Sequence, residues 1–147
     1  ISEGEIMQLL NINNAEIDEE NYFKVIKQKT AKLFEASSLL AGVVNNENDM
    51  KLKNLSKLGE SFGMIFQITD DILDYSGDES EIGKNIGDDL AEGKITLPLI
   101  YAIKMGTKIQ SELIKNSIKL NKINELPNII SILEDTKAIN AVKKKAE

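Results

Sequence analysis

The sequence contains no cysteine, tryptophan, histidine or arginine, and only two prolines in 147 residues. Without cysteine, disulfide scaffolding, thiolate catalysis and cysteine-based zinc sites are excluded, and without histidine an imidazole general base goes too. Chemistry in this chain has to come from carboxylates, lysines, amides and bound cations. No stretch has the length and apolarity of a transmembrane helix, and no secretory signal pattern is read at its start.

What is present is 41% hydrophobic and 29% charged, a balance that suits one globular domain, or a large part of one, around a sizeable core. The formal charge of -6 is unevenly placed. Residues 70–94 carry nine acids (Asp70, Asp71, Asp74, Asp78, Glu79, Glu81, Asp88, Asp89, Glu92) against Lys84 and Lys94, while acids and lysines nearly cancel elsewhere. The concentration of charge argues for a cation-loaded site and against a nucleic-acid surface. Because the chain opens at Ile1 and stops inside a helical-looking run, a piece of a longer protein is expected.

Apolar residues recur at three- and four-residue spacing, which predicts an all-α fold. The end of a helix is expected at 2–11. A second helix, with Asp18, Glu19 and Glu20 in its first turn, should run through Tyr22, Val25, Ile26, Lys29, Leu33 and Leu40 to about Val44. The third should run from Asp49 to Tyr75, with Leu52, Leu55, Leu58, Phe62, Ile65 and Phe66 as its buried stripe and Gly59, Ser61 and Gly63 allowing a neighbour to approach. After a glycine-punctuated loop at 76–93, Thr96 can cap a fourth helix with Pro98 in its first turn. Weaker helices are expected at 108–120, 123–134 and 135–147.

The string FQITDDILDY, residues 66–75, carries the chemistry. At helical spacing Asp70, Asp71 and Asp74 converge on roughly one face, with Gln67 a turn earlier and Phe66, Ile68, Ile72 and Leu73 directed inward. Like charges one turn apart repel by about 0.2–0.5 kcal/mol per pair even in water, and more as the dielectric falls. Two readings stand: a solvated acidic face, or a clamp in which Mg²⁺ links the carboxylates to substrate phosphates. The following loop returns Lys84 and Lys94 with the acidic pair Asp88 and Asp89, among Gly83, Gly87 and Gly93, and Lys29 and Thr30 offer a further anion contact. An EF-hand at 74–85 is excluded, since Glu79 occupies the obligatory glycine position and Asn85 the bidentate glutamate position.

Three blocks, KTAKLFEASSLLAG (29–42), GESFGMIFQITDDILDY (59–75) and GKNIGDDLAEGKITLPLI (83–100), together resemble the C-terminal half of the trans-polyprenyl diphosphate synthase family, bacterial long-chain type. SEGEIMQLLN (2–11) is similar to the helix preceding these motifs, so the likeness spans residues 2–147. It implies that residues 1–147 are the C-terminal part of a single polyprenyl synthetase domain, a partial isoprenoid-synthase-type helical bundle. It implies Mg²⁺ held by Asp70, Asp71 and Asp74, diphosphate contacts from Lys29, Thr30, Gln67, Lys84 and Lys94, and catalytic roles for Asp70, Lys29 and Lys84. Asp89 matches an outer-shell position and Gln8 a pocket-lining one. The implied reaction joins isopentenyl diphosphate head to tail to an allylic prenyl diphosphate through an allylic cation, in a cytoplasmic homodimer with no nucleic-acid partner and no integral membrane segment.

The family's first aspartate-rich motif, its arginines and its isopentenyl diphosphate site find no match in this chain, so product length is not legible and the chain alone is expected to be inactive. A non-catalytic subunit or remnant is the alternative reading. A class I terpene cyclase ranks below it, because the block from Lys84 to Lys94 resembles the chain elongators.

Overall fold

The computed structural model describes residues 1–76 and 86–146; Gly83, Lys84 and the other positions between 77 and 85 lie outside the described residues. Among the described residues there is no strand, as the periodicity predicts. The helices are α1 (Ser2–Leu10), α2 (Glu19–Ile26), a π segment (Lys27–Ala31), α3 (Lys32–Val44), α4 (Asp49–Ser76), α5 (Asp88–Ala91), α6 (Leu97–Met105), α7 (Lys108–Lys119), a 3-10 turn (Ile123–Glu125), α8 (Leu126–Thr136) and α9 (Ala138–Ala146). None of them is long and apolar enough to cross a membrane.

Asp18 stands outside α2 and caps it, its carboxylate accepting the Asn21 N–H at 2.8 Å, and Asn48 caps α4 by accepting the Lys51 N–H at 3.0 Å. Glu19 and Glu20 then favour the positive end of α2. The predicted break between the last two helices at 134–135 falls instead at Lys137, a left-handed residue with φ 55°.

The chain divides into two compact units. The first comprises Ile1–Leu9 and Phe23–Gln67. Here α3 meets α4 across small residues: a Cβ on Gly59 would strike the Phe34 carbonyl and Ser38, and one on Gly63 would strike Ala31. This close approach corrects the expectation of a buried stripe on the third helix. With its glycine side turned to α3, α4 leaves Leu58, Phe62, Ile65 and Phe66 exposed rather than buried, and Leu33 and Leu40 of α3 are exposed as well. Phe34 nonetheless gathers Phe62 and Phe66 into a surface aromatic cluster, with ring centroids 5.5 and 5.4 Å away.

The second unit comprises Leu10–Tyr22 and Ile68–Glu147, and is organised on α6. Leu97, Pro98, Leu99, Ile100 and Ala102 of α6 are all buried, packed by α7, α8 and α9. Leu90, Ile114, Ile118, Ile129, Leu133 and Val142 complete a core in which each such side chain contributes roughly 1.5–3 kcal/mol by leaving water. Pro98 sits in the first turn of α6 as expected, and Thr96 occupies its N-cap position. The Thr96 hydroxyl makes no capping bond, however; it is buried beside the enclosed Tyr75 hydroxyl, and neither has a hydrogen-bond partner of good geometry. Thr107 is the threonine that caps, forming a reciprocal box with Gln110 at the start of α7.

Candidate functional site

Within the first unit, Lys29 and Thr30 lie on the π segment, where the Lys32 N–H reaches back to the Lys27 carbonyl. Such wide turns are rare and recur at functional sites. α1 seats itself directly on this turn, because Gly4 meets the Lys29 backbone where any Cβ would collide. That contact brings Gln8 to Lys29, whose ammonium donates to Gln8 Oε1 at 2.7 Å and pairs with Glu5 at 3.6 Å. On the neighbouring position the Thr30 hydroxyl donates to Gln67 Oε1 at 2.8 Å. Four of the sequence-predicted residues, Gln8, Lys29, Thr30 and Gln67, are thus joined in two half-buried pairs.

The second unit holds the aspartates and Lys94. The three carboxylates predicted to share a face have different surroundings. Asp71 is 3% exposed and accepts the Tyr22 hydroxyl at 2.6 Å, the short distance of a charge-assisted bond. Asp74 is half-buried and accepts the Asp89 N–H at 3.3 Å, while its carbonyl accepts the Gly87 N–H at 2.9 Å. Asp70 is half-exposed. The inward direction expected of the intervening apolar residues holds for Ile68 and Ile72, whereas Phe66 and Leu73 are exposed.

Gly87, with φ 84°, turns the chain into α5 in a conformation that side-chain-bearing residues rarely adopt, and so delivers Asp89 to Asp74. Burial, followed by the facing charge of Asp89, pushes the Asp74 carboxyl up to about 7. Burial also raises Asp89, against the pull of Lys94 at 3.1 Å. Burial opposes charge on Lys94, yet its ion pairs with Glu92 at 2.6 Å and with Asp89 hold its ammonium above the usual lysine range. The Tyr22 hydroxyl is raised well above its ordinary value, first by burial and then by Asp71, with Asp89 and Asp70 adding to it, so it stays a donor.

As the side chains stand, no group of three or more acidic residues among those described is gathered to hold a metal on its own. The donor chemistry nonetheless fits Mg²⁺, which takes one or two carboxylates and completes its shell with water and phosphate oxygens. Lys84 lies outside the described residues. Sequence reasoning placed Tyr22 only along the second helix; the signal that marks it is a phenol at a buried helix start, where the O–H needs a partner.

The polyprenyl synthetase family profile matches residues 1–135. The octaprenyl diphosphate synthase of Escherichia coli K12 is 46% identical over 119 residues, 81% of this chain and 37% of the relative. That of Haemophilus influenzae is 39% identical over 148 residues, 100% of this chain and 45% of the relative. A polyprenyl synthase from Caulobacter crescentus, solved with calcium and isoprenyl diphosphate, superposes with a TM-score of 0.92 at 32% identity, covering 99% of this chain and 45% of the other. The chain therefore spans less than half the length of these proteins.

Proposed function

This chain belongs to the polyprenyl synthetase family, and from that premise we propose that it is the C-terminal part of a single polyprenyl synthetase domain. The whole protein elongates an allylic prenyl diphosphate with isopentenyl diphosphate. The observation that carries this reading is the half-buried meeting of Asp74 and Asp89 beside Lys94, a carboxylate pair held out of bulk water that a divalent cation would relieve. The Caulobacter relative's complex with a divalent cation and an isoprenyl diphosphate supports the same ligand class.

Asp70, Asp71 and Asp74 would hold Mg²⁺, with Asp89 behind them. Bound there, Mg²⁺ supplies positive charge to the departing diphosphate. Lys29, Thr30, Gln67, Lys84 and Lys94 bind the diphosphate oxygens in this reading, and the lysines take up negative charge as the allylic C–O bond ionises. Gln8 orients the Lys29 ammonium in this reading. The double bond of isopentenyl diphosphate attacks the allylic cation and a proton leaves, giving the longer prenyl diphosphate and free diphosphate. Such a reaction also requires that water be kept from the allylic cation, which it would otherwise quench. The same reading carries a homodimer and a cytoplasmic location.

The test is an assay of the intact gene product with Mg²⁺, farnesyl diphosphate and labelled isopentenyl diphosphate. Longer prenyl diphosphates are expected, and their absence overturns the reading.

A further inference from the structure

One peptide group in the second unit, the one joining Gly93 to Lys94, is tied at both of its polar ends. Its oxygen accepts the Asn13 N–H at 2.9 Å, and its N–H donates to the Asp89 carbonyl at 2.9 Å. Asn13 and Gly93 meet in this way because both are left-handed, with φ 61° and 69°, a conformation that asparagine tolerates and glycine adopts freely. The two residues also interlock: the Asn13 Oδ1 stands where a side chain on Gly93 would begin, and the Asn121 Oδ1 lies 2.7 Å from the same point. The Asn13 turn is itself anchored, since Ala15 is buried and Glu16 pairs with Lys115 of α7 at 2.7 Å. With the peptide before it fixed, the Lys94 backbone has a set origin, and its ammonium meets Asp89 at 3.1 Å.

We infer that Asn13, from a connection outside the three motif blocks, is a positioning residue for Lys94: its left-handed turn aims a backbone N–H at the Gly93 carbonyl and so places the lysine for a diphosphate oxygen. This rests on the proposed function above, in which Lys94 binds that diphosphate. The other end of the loop is held separately. A Cβ on Gly87 would strike Leu126, and the Gly87 N–H donates to the Asp74 carbonyl, so losing the Asn13 bond acts on Lys94 while Asp74 keeps its contacts with Gly87 and Asp89. Alanine at position 13 disfavours the left-handed turn, whereas glycine permits it and retains the N–H.

The experiment uses the intact gene product. Inorganic diphosphate is titrated at fixed Mg²⁺ while the melting temperature is followed, and chain elongation is measured in parallel where circular dichroism shows each variant folded. For Asn13→Ala the half-saturating diphosphate concentration and the KM for the allylic diphosphate are expected to rise together by about tenfold, as for a weakened charged hydrogen bond. Asn13→Gly should stay close to wild type. A lower melting temperature at an unchanged diphosphate midpoint would mean a merely structural turn and overturn the inference. An equal loss of diphosphate binding in Asn13→Gly would also overturn it, and this arm holds even if the alanine variant does not fold. Lys94→Met provides the coupling arm. Alone it should raise the same midpoint, and adding Asn13→Ala should move it little further; an unmoved midpoint in Lys94→Met, or a full additional shift in the double variant, would sink the coupling. A wild-type protein that responds to Mg²⁺ and diphosphate but elongates nothing defeats the proposed function alone; normal wild-type elongation with an unmoved Asn13→Ala midpoint defeats this inference alone.

Discussion

The backbone N–H of Asp89 donates to the carboxylate of Asp74 at 3.3 Å, so two acidic side chains from distant turns of the chain share one half-buried space. The folded protein consequently binds a proton at Asp74 more tightly than the unfolded chain does, with the carboxyl near 7 against about 3.9 unfolded. Through this group stability is greatest at low pH and declines as pH climbs between those two values. Removing the ionisable group reverses the loss: metal-free Asp74→Asn should gain roughly 1–2 kcal/mol over wild type near pH 8 after allowance for solvent screening, and little near pH 4. Urea denaturation of both proteins across that range, with and without Mg²⁺, measures it.

Asp70→Ala should lower turnover by about 10²-fold or more while leaving the helical circular dichroism spectrum in place, because a half-exposed carboxylate contributes charge for the cation rather than core packing. Activity equal to wild type would remove Asp70 from the site.

Lys29 donates to Gln8 and pairs at longer range with Glu5, which fixes the direction of its ammonium. Lys29→Met is therefore expected to raise the KM for the allylic diphosphate by about tenfold or more, the loss of a charged hydrogen bond, with Gln8→Leu following in the same direction by a smaller factor. Initial rates at varied allylic substrate discriminate the two.

Gly4→Ala should destabilise the protein by about 1–3 kcal/mol, because the new methyl group meets the Lys29 backbone rather than a movable side-chain end. A shift in the urea midpoint reads this, and an accompanying rise in the KM for allylic diphosphate would show the displacement reaching Lys29.

The helical elements were legible because periodicity, the two prolines and the acidic start of α2 act over a few residues, whereas Asp18 and Asn48 show themselves as caps only in their hydrogen bonds. The trio at 70–74 and the lysines were legible as residue types. Their surroundings were not: whether a carboxylate meets a phenol, a backbone N–H or solvent depends on contacts such as Tyr22 to Asp71, which local spacing does not encode. The stripe Leu58, Phe62, Ile65 and Phe66 reads as core by hydrophobicity, yet α3 packs against the glycines of α4 because close backbone approach is possible there. The π turn escaped notice for a similar reason. Lys27–Ala31 has an ordinary helix-forming composition, and its winding is visible only in the reach of the Lys32 N–H to the Lys27 carbonyl.

That one wide turn absorbs a residue without shifting the helices that flank it. It stores an additional residue between α2 and α3, so deleting a single residue from Lys27–Ala31 would restore regular winding and leave α2 and α3 close to their present phase. Lys29 and Thr30, which lie on the bulge itself, would be re-aimed, so the Thr30 bond to Gln67 would be lost while α3 still met Gly59. A deletion from the regular winding of α3 acts instead as an angular error of about 100°, so the same loss of one residue separates a local effect on the lysine and threonine from a turned helix face.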